Sequence, residues 1–536
     1  MESRDSFLGR QSGPAQVRFF ANIRSRESAH DNIKERARLL RSPLTLPATR
    51  GILPVLALLW CFAAEAGPAI APGDVALRHD IQRLADAGVI SGPVTTWPLA
   101  WGPIAADISA LDRTVELPAG VLQSLARVRA RAQWEMQLDQ LHFDAHLSVA
   151  EKPTRMRSFA DTPRETGEIG GGLDWTGERL SIQLQAQLVD SPADGEDFRA
   201  DGSAIAVALG NFSISANTLD RWWGPGWDGN LILSSNARPM PAISLDRNFT
   251  DPFASKWLRW LGPWDLAVHF GQFESDRHIP DARFFGMRFN FRPIPSLEIG
   301  LSRTAQWCGE GRPCGLDIFI DLLLGNDNRG DAGIDQSNEP GNQLAGIDFR
   351  WSNRWFGRSN AIYGQAIGED EAGGFPSRYL VQLGIESSGM LGDRWSYRWY
   401  SELAGTSCDA VKKEIFNCAY NHSIYQTGYR YRGRVVGHAY DNDARMVSTG
   451  LTLLDDQATQ WQVLVRYGAL NRGGAPDSRN SLTPTRQDIA SLDLTHTRVF
   501  TYGQIEIGLG LERTDDESSG ETSNDGRAFL QWRSSH

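Results

Sequence analysis

Apolar positions set two rhythms along the chain. Between Asp74 and about Met136 they recur every three to four residues: Leu77, Ile81 and Leu84 in one run, Val121, Leu122, Leu125 and Val128 in another. That spacing places each run on one helix face, and Gly88 and Gly92 close the first. A link containing Pro and Trp, from Thr95 to Pro103, separates them. Residues 67–136 are therefore expected to form a small helical segment. After Met136 the period falls to two. Leu141, Phe143, Ala145, Leu147 and Val149 alternate with His142, Asp144, His146 and Ser148; Leu180, Ile182, Leu184, Ala186 and Leu188 alternate with Ser181, Gln183, Gln185 and Gln187. Similar alternation recurs at 264–271, 285–292, 297–302, 345–351, 380–386, 395–400, 461–467 and 502–511, bounded by Gly, Asp, Asn, Ser or Pro.

Residues 137–536 thus read as one long β domain, too long for a single sandwich and without the repeat of a propeller. Aromatic residues crowd the strand ends: Trp257, Trp260, Trp264, Tyr397, Trp399, Tyr400, Tyr425, Tyr429 and Tyr431. Apolar faces alternating with polar ones, flanked by aromatic girdles, describe an outer-membrane barrel. A closed barrel satisfies every backbone group without a long apolar helix. At roughly 20 to 24 residues per strand and connection, the domain holds about 16 to 18 strands.

Charge and composition narrow the function. With 54 Lys+Arg against 65 Asp+Glu and no basic stripe, a nucleic-acid binder is excluded. Eighteen Trp, 23 Phe and 11 Tyr exclude a disordered chain. The apolar run Ile52–Ala64 follows Arg38, Arg41 and Arg50 and precedes Ala64-Glu65-Ala66, the layout of a secretory signal, so residues 1–66 are expected to be a leader cleaved after Ala66. Beyond it stand Cys308, Cys314, Cys408 and Cys418. In an exported chain they suggest two local disulfides, Cys308–Cys314 and Cys408–Cys418, since neither spacing suits a metal. No cofactor or metal is expected.

One segment breaks the β pattern. From Asp220 to Arg247, Gly224, Pro225, Gly226 and Gly229 interrupt any strand, and Pro239 and Pro241 lack ladder donors. It carries Trp222, Trp223 and Trp227 with Arg221, Asn236 and Arg238. Irregular backbone at membrane depth is tolerated where it fills or lines a lumen. Indole faces suit pyranose rings, amides satisfy hydroxyls, and an Arg fork grips a carboxylate. These six residues are candidates for binding an acidic polysaccharide. The same cluster would equally pack a plug against the wall, with Arg221 and Arg238 paired to wall carboxylates, and the residues leave both readings open.

The segment also resembles the capsule assembly Wzi family of Gram-negative outer membranes, through Arg221-Trp222-Trp223-Gly224-Pro225-Gly226 and the run from Leu231 to Pro239. Trp97-Pro98-Leu99, Gly325-Asn326-Asp327-Asn328 and the run from Gly341 to Asp348 look similar too. The resemblance implies a periplasmic helical bundle on a monomeric barrel of about 18 strands, plugged at the outside. It implies a non-enzymatic lectin that holds capsular polysaccharide or exopolysaccharide at the cell surface. The chain departs from the terminal aromatic residue usual in such barrels, ending Trp532-Arg533-Ser534-Ser535-His536.

Other constellations are weaker. Asn326, Asp327, Asn328, Asp331 and Asp335 miss the EF-hand spacing and read as a surface loop. Asn421-His422-Ser423 and Thr495-His496-Thr497 set hydroxyls beside His, the raw material of a hydrolase, but sequence adjacency is not catalytic geometry. An oligosaccharide channel is the main alternative to a lectin.

Overall fold

A computed structural model describes residues 69–534 except 113, 325–340, 356, 373–374, 410–412 and 475–476. The leader expected over 1–66 and the oxygen-rich loop from Asn326 to Asp335 lie outside the described residues. One sheet closes on itself as an antiparallel barrel of 18 strands. The first half comprises β1 (Leu141–Ala150), β2 (Gly167–Thr176), β3 (Leu180–Asp190), β4 (Ala204–Leu209), β5 (Phe212–Asn217), β6 (Ala242–Arg247), β7 (Trp264–Gln272), β8 (Arg283–Ile294) and β9 (Leu297–Trp307). The second comprises β10 (Gly341–Trp355), β11 (Arg358–Ala372), β12 (Phe375–Leu391), β13 (Trp395–Gly405), β14 (Arg445–Leu454), β15 (Gln460–Leu470), β16 (Gln487–Phe500), β17 (Gly503–Asp516) and β18 (Thr522–Arg533). Each strand pairs with the next, and β18 returns to β1 with Trp532 opposite Leu147.

The period-two pattern sorts side chains between lipid and lumen. In β12, Leu383 and Ile385 are about half exposed, whereas Gln382 and Glu386 are buried. Connections at one end are mostly tight, such as Pro295-Ser296 and Thr501-Tyr502, and those at the other include residues 151–166, 218–241 and 406–444. Short turns face the periplasm in barrels of this class. Exposed Trp257, Trp260, Trp355, Trp461 and Tyr502 ring the short-turn end. Of the other aromatics expected there, Trp399 faces out, which turns its neighbour Tyr400 inward. Tyr397 is buried as well, and Tyr425, Tyr429 and Tyr431 belong to the buried part of loop 406–444. The loop tyrosines need hydroxyl partners that lipid lacks; Tyr429 Oη donates to the Ile232 carbonyl at 2.9 Å.

Among the described residues, three helices precede the barrel: α1 (Val75–Asp86), α2 (Trp101–Ala110) and α3 (Ala119–Glu135). Asp74 caps α1 by accepting from Leu77 N at 2.9 Å, and Gly88 follows its end at a φ of 75°. Helix α2 begins inside the stretch read from sequence as a link, with Pro103 in its first turn, where the missing N–H costs nothing. A fourth helix, α4 (Leu316–Leu324), interrupts the β domain where none was expected.

Candidate functional site

Residues 218–241, the connection from β5 to β6, turn inward from the long-loop end and meet the helical segment inside the barrel. Trp222 and Trp223 pair with Trp97 and Thr96 in a two-residue antiparallel ladder. Trp222 Nε1 donates to the Gly226 carbonyl at 2.9 Å, and Phe159 packs edge-on against its ring at 5.3 Å. Trp227 Nε1 donates to Glu386 at 2.7 Å, its ring stacks on Tyr400 at 6.0 Å, and the Arg78 guanidinium lies 3.9 Å from its centroid. Glycines make the close approach possible: a Cβ on Gly226 would strike the Gly229 carbonyl, and one on Gly229 would strike His438.

The polar members of the motif are equally engaged. Arg221 donates to the Leu219 carbonyl, Asn217 Oδ1 and Ser244 Oγ at 2.8, 2.9 and 2.6 Å. Burial pushes its guanidinium down to about 10, still charged at neutral pH. Asn236 Nδ2 donates to the Val435 carbonyl at 3.1 Å. Arg238 grips Asp201 through two bonds of 2.8 and 2.9 Å and adds Asp194 at 2.5 Å. These two carboxylates sit in loop 191–203 rather than on the wall. Asp228 receives the Arg466 fork, which holds its carboxyl below the usual range against the opposing effect of burial.

The helical segment is fastened from the opposite end. Arg350 binds Asp86 at 2.6 and 2.9 Å and Glu386 at 2.7 Å. Arg398 bridges Glu386 and His79, while Glu298 accepts from the backbone of Val94 and Thr95. Arg288 ties Thr95 and Thr96 to Asp348.

A filled barrel with this central segment has relatives. The family model for capsule assembly protein Wzi matches residues 142–529. The chain belongs to the Wzi family. A Klebsiella pneumoniae protein described as an uncharacterized 55.8 kDa protein in the cps region is 32% identical over 423 residues, 78% of this chain and 80% of that one. A solved Escherichia coli structure is similar at a TM-score of 0.75 and 28% identity, covering 87% of this chain and 99% of the other. That protein is described as Wzi, an outer-membrane protein involved in group 1 capsule assembly and a carbohydrate-binding β-barrel.

In this Wzi-family barrel the six motif residues do not offer open faces to a sugar. Trp222, Trp223 and Asn236 are at most 1% exposed and Trp227 is 4% exposed, with Phe159, Arg78 and Tyr400 already against the indoles. Of the two readings that the residues left open, this burial favours the Trp cluster that packs a plug: the hydrophobic effect and the convergence of two inserts draw the rings inward. Only Arg221 of the six borders the main lumenal cavity. The hydrolase elements are also kept apart, since His496 stacks on Trp461 of the outer wall and Ser423 sits in loop 406–444.

Accessible chemistry lies on residues that sequence reasoning missed. The Cys408–Cys418 disulfide gathers loop 406–444 and displays Phe416, 37% exposed. The Arg472 guanidinium stands 5.7 Å from that ring and holds Glu414 bidentately at 2.9 and 3.0 Å, keeping the carboxyl below its usual range. Arg445 reaches the same Glu414, Arg479 bonds Asp477 and Asn417, and Lys413 is exposed nearby. The available signal was the run Lys412-Lys413-Glu414-Ile415-Phe416-Asn417 between two bridging cysteines. Cys308 and Cys314 are joined in a second local loop.

Proposed function

We propose that this chain is a non-enzymatic lectin, standing as a monomer among outer-membrane lipids, with residues 67–136 entering the barrel from the periplasm. It holds acidic capsular or extracellular polysaccharide at the cell surface. The observation that carries the reading is the arrangement of the long-loop end. The lumen beneath is occupied by hydrogen-bonded protein, while Arg472 stands beside exposed Phe416, and Lys413, Arg445, Arg472 and Arg479 together outnumber the carboxylates they hold, Glu414 and Asp477. Cations in excess of their carboxylate partners, beside an exposed aromatic ring, suit an anionic sugar: the excess positive charge attracts its carboxylate and the ring meets its apolar face. The six motif residues then act as the frame that seals the lumen beneath this surface. The carbohydrate binding of the Escherichia coli relative supports the assignment.

The test is polysaccharide partitioning in a deletion strain complemented with wild type, with Phe416→Ala plus Arg472→Glu, or with nothing. Deletion is expected to move glycan from cells to medium at constant total. The double variant, if heat-modifiable like wild type, is expected to restore less than half of the retention. Unchanged partitioning on deletion overturns the proposal.

A further inference from the structure

One cavity lies away from the outer face. Between the helical segment and the wall formed by β1 to β7 and β15 to β17 lies a cavity of about 960 Å³, large enough for an oligosaccharide. It reaches exposed Ala71 and Ala130 at the short-turn end.

Its lining has a distinct chemistry. The amides of Gln183, Gln460, Gln462 and Gln504 line it from neighbouring parts of the wall. Among the described residues, none of these four amides makes a side-chain hydrogen bond to protein, although Gln460 is only 6% exposed. Gln185 nearby differs, being taken up by Asp144 at 2.9 Å. Each free amide offers two donors and a carbonyl acceptor, the combination that a sugar hydroxyl satisfies in both directions. Ser181 and Ser213 add hydroxyls, and Trp134 borders the void, resting on His142 at 4.1 Å.

Charge decides the kind of sugar. Asp80, Glu135 and Asp161 are neutralised by Arg127, Arg131 and Arg533; of the groups with no ion pair, Asp174, Asp246, Asp265 and Glu506 outnumber the two guanidiniums Arg221 and Arg247, which donate to neutral acceptors. Uronate or phosphate groups entering here would meet this excess of carboxyl groups in a low-dielectric surround, whereas a carboxyl group, charged or neutral, hydrogen-bonds to a neutral hydroxyl.

We propose that this short-turn-end cavity is a second glycan site, selective for uncharged hexose oligosaccharides and separate from the anion-binding outer face. The inference rests on the lectin reading, since it assigns a further sugar subsite to the same barrel. A free oligosaccharide and an uncharged stretch of polymer share the required chemistry.

Isothermal titration of the full detergent-solubilised protein tests it, using maltohexaose and isomaltohexaose, dextran as the polymer, and trigalacturonate as the acidic control. At least one hexasaccharide is expected to bind. Trigalacturonate is expected to give no heat in a Phe416→Ala plus Arg472→Glu background, which silences the outer face. Gln183→Leu plus Gln462→Leu is expected to weaken hexasaccharide binding by at least about tenfold, as loss of two hydrogen bonds implies. The milder Asp174→Asn keeps the test valid if the double variant fails to assemble, with weakening of at least about threefold expected. Binding of dextran as well as the hexasaccharides would identify a polymer segment, and binding of hexasaccharides alone a free oligosaccharide. Absence of hexasaccharide binding, or equal binding by wild type and all cavity variants, overturns the proposal. Retention of glycan by cells is read separately: normal retention without cavity binding removes only this inference, and lost retention control with cavity binding removes only the outer-face reading.

Discussion

At the residue scale, the plug depends on groups that have no room to change. Gly226→Ala would drive a Cβ into the Gly229 carbonyl, which is backbone and cannot rotate aside. The expected cost is roughly 2 kcal/mol or more, in the range of strained core substitutions. A lowered denaturation midpoint for tryptophan fluorescence in micelles would record it, and an unchanged midpoint would refute it. His438 supplies a pH dependence. Burial pushes its pKa down to about 4 from 6.5, with Asp228 opposing and Arg466 reinforcing the shift. The unfolded loop therefore binds a proton that the folded one excludes between these values, so plug stability is complete above pH 6.5 and is lost as pH falls toward 4. Hydrogen exchange in residues 218–241, corrected for intrinsic rate, is expected to be faster at pH 5 than at pH 7 in wild type but not in His438→Gln. Equal protection at both pH values would refute the assignment.

At the element scale, the helical segment is a docked insert rather than a free appendage. Asp86, at the end of α1, takes two bonds from Arg350 and one from Ser359. Asp86→Ala would leave a buried guanidinium only partly compensated, at an expected cost of about 3 kcal/mol. Faster tryptic release of residues 69–136 from intact barrels would show it. The Cys408–Cys418 bridge does the corresponding work outside. Closing a 10-residue separation stabilises the loop by about 3 kcal/mol on the chain-entropy model. Cys408→Ser plus Cys418→Ser is expected to make loop 406–444 protease-sensitive while the barrel stays heat-modifiable.

At the scale of the whole molecule, strand number alone would suggest a pore, because barrels of 16 to 18 strands leave an aqueous channel. Here protein enters that space from both ends, leaving a cavity of about 960 Å³ beside the helical segment. Wild type is expected to show almost no conductance in planar bilayers, and deletion of residues 224–236 to open steps of porin size. A steady large conductance from wild type would revive the channel reading.

The sequence by itself determined the barrel, because a period of two with an apolar outward face is imposed strand by strand and needs no knowledge of partners. Strands such as Gly167–Thr176 escaped that reading, since Gly170, Gly171 and Gly172 carry no side chain to alternate. The motif from Arg221 to Pro239 was legible as the segment that breaks the pattern, and as a family mark, but its two readings were separable only in three dimensions. Whether an indole faces sugar or protein depends on what arrives from elsewhere in the chain, here Arg78 from α1, Phe159 from loop 151–166 and Tyr400 from β13. For the same reason the glutamine-lined cavity was invisible, and the outer cationic patch was signalled only by the run from Lys412 to Asn417. Each gathers side chains from separate elements, and only closure of the barrel brings them to one place.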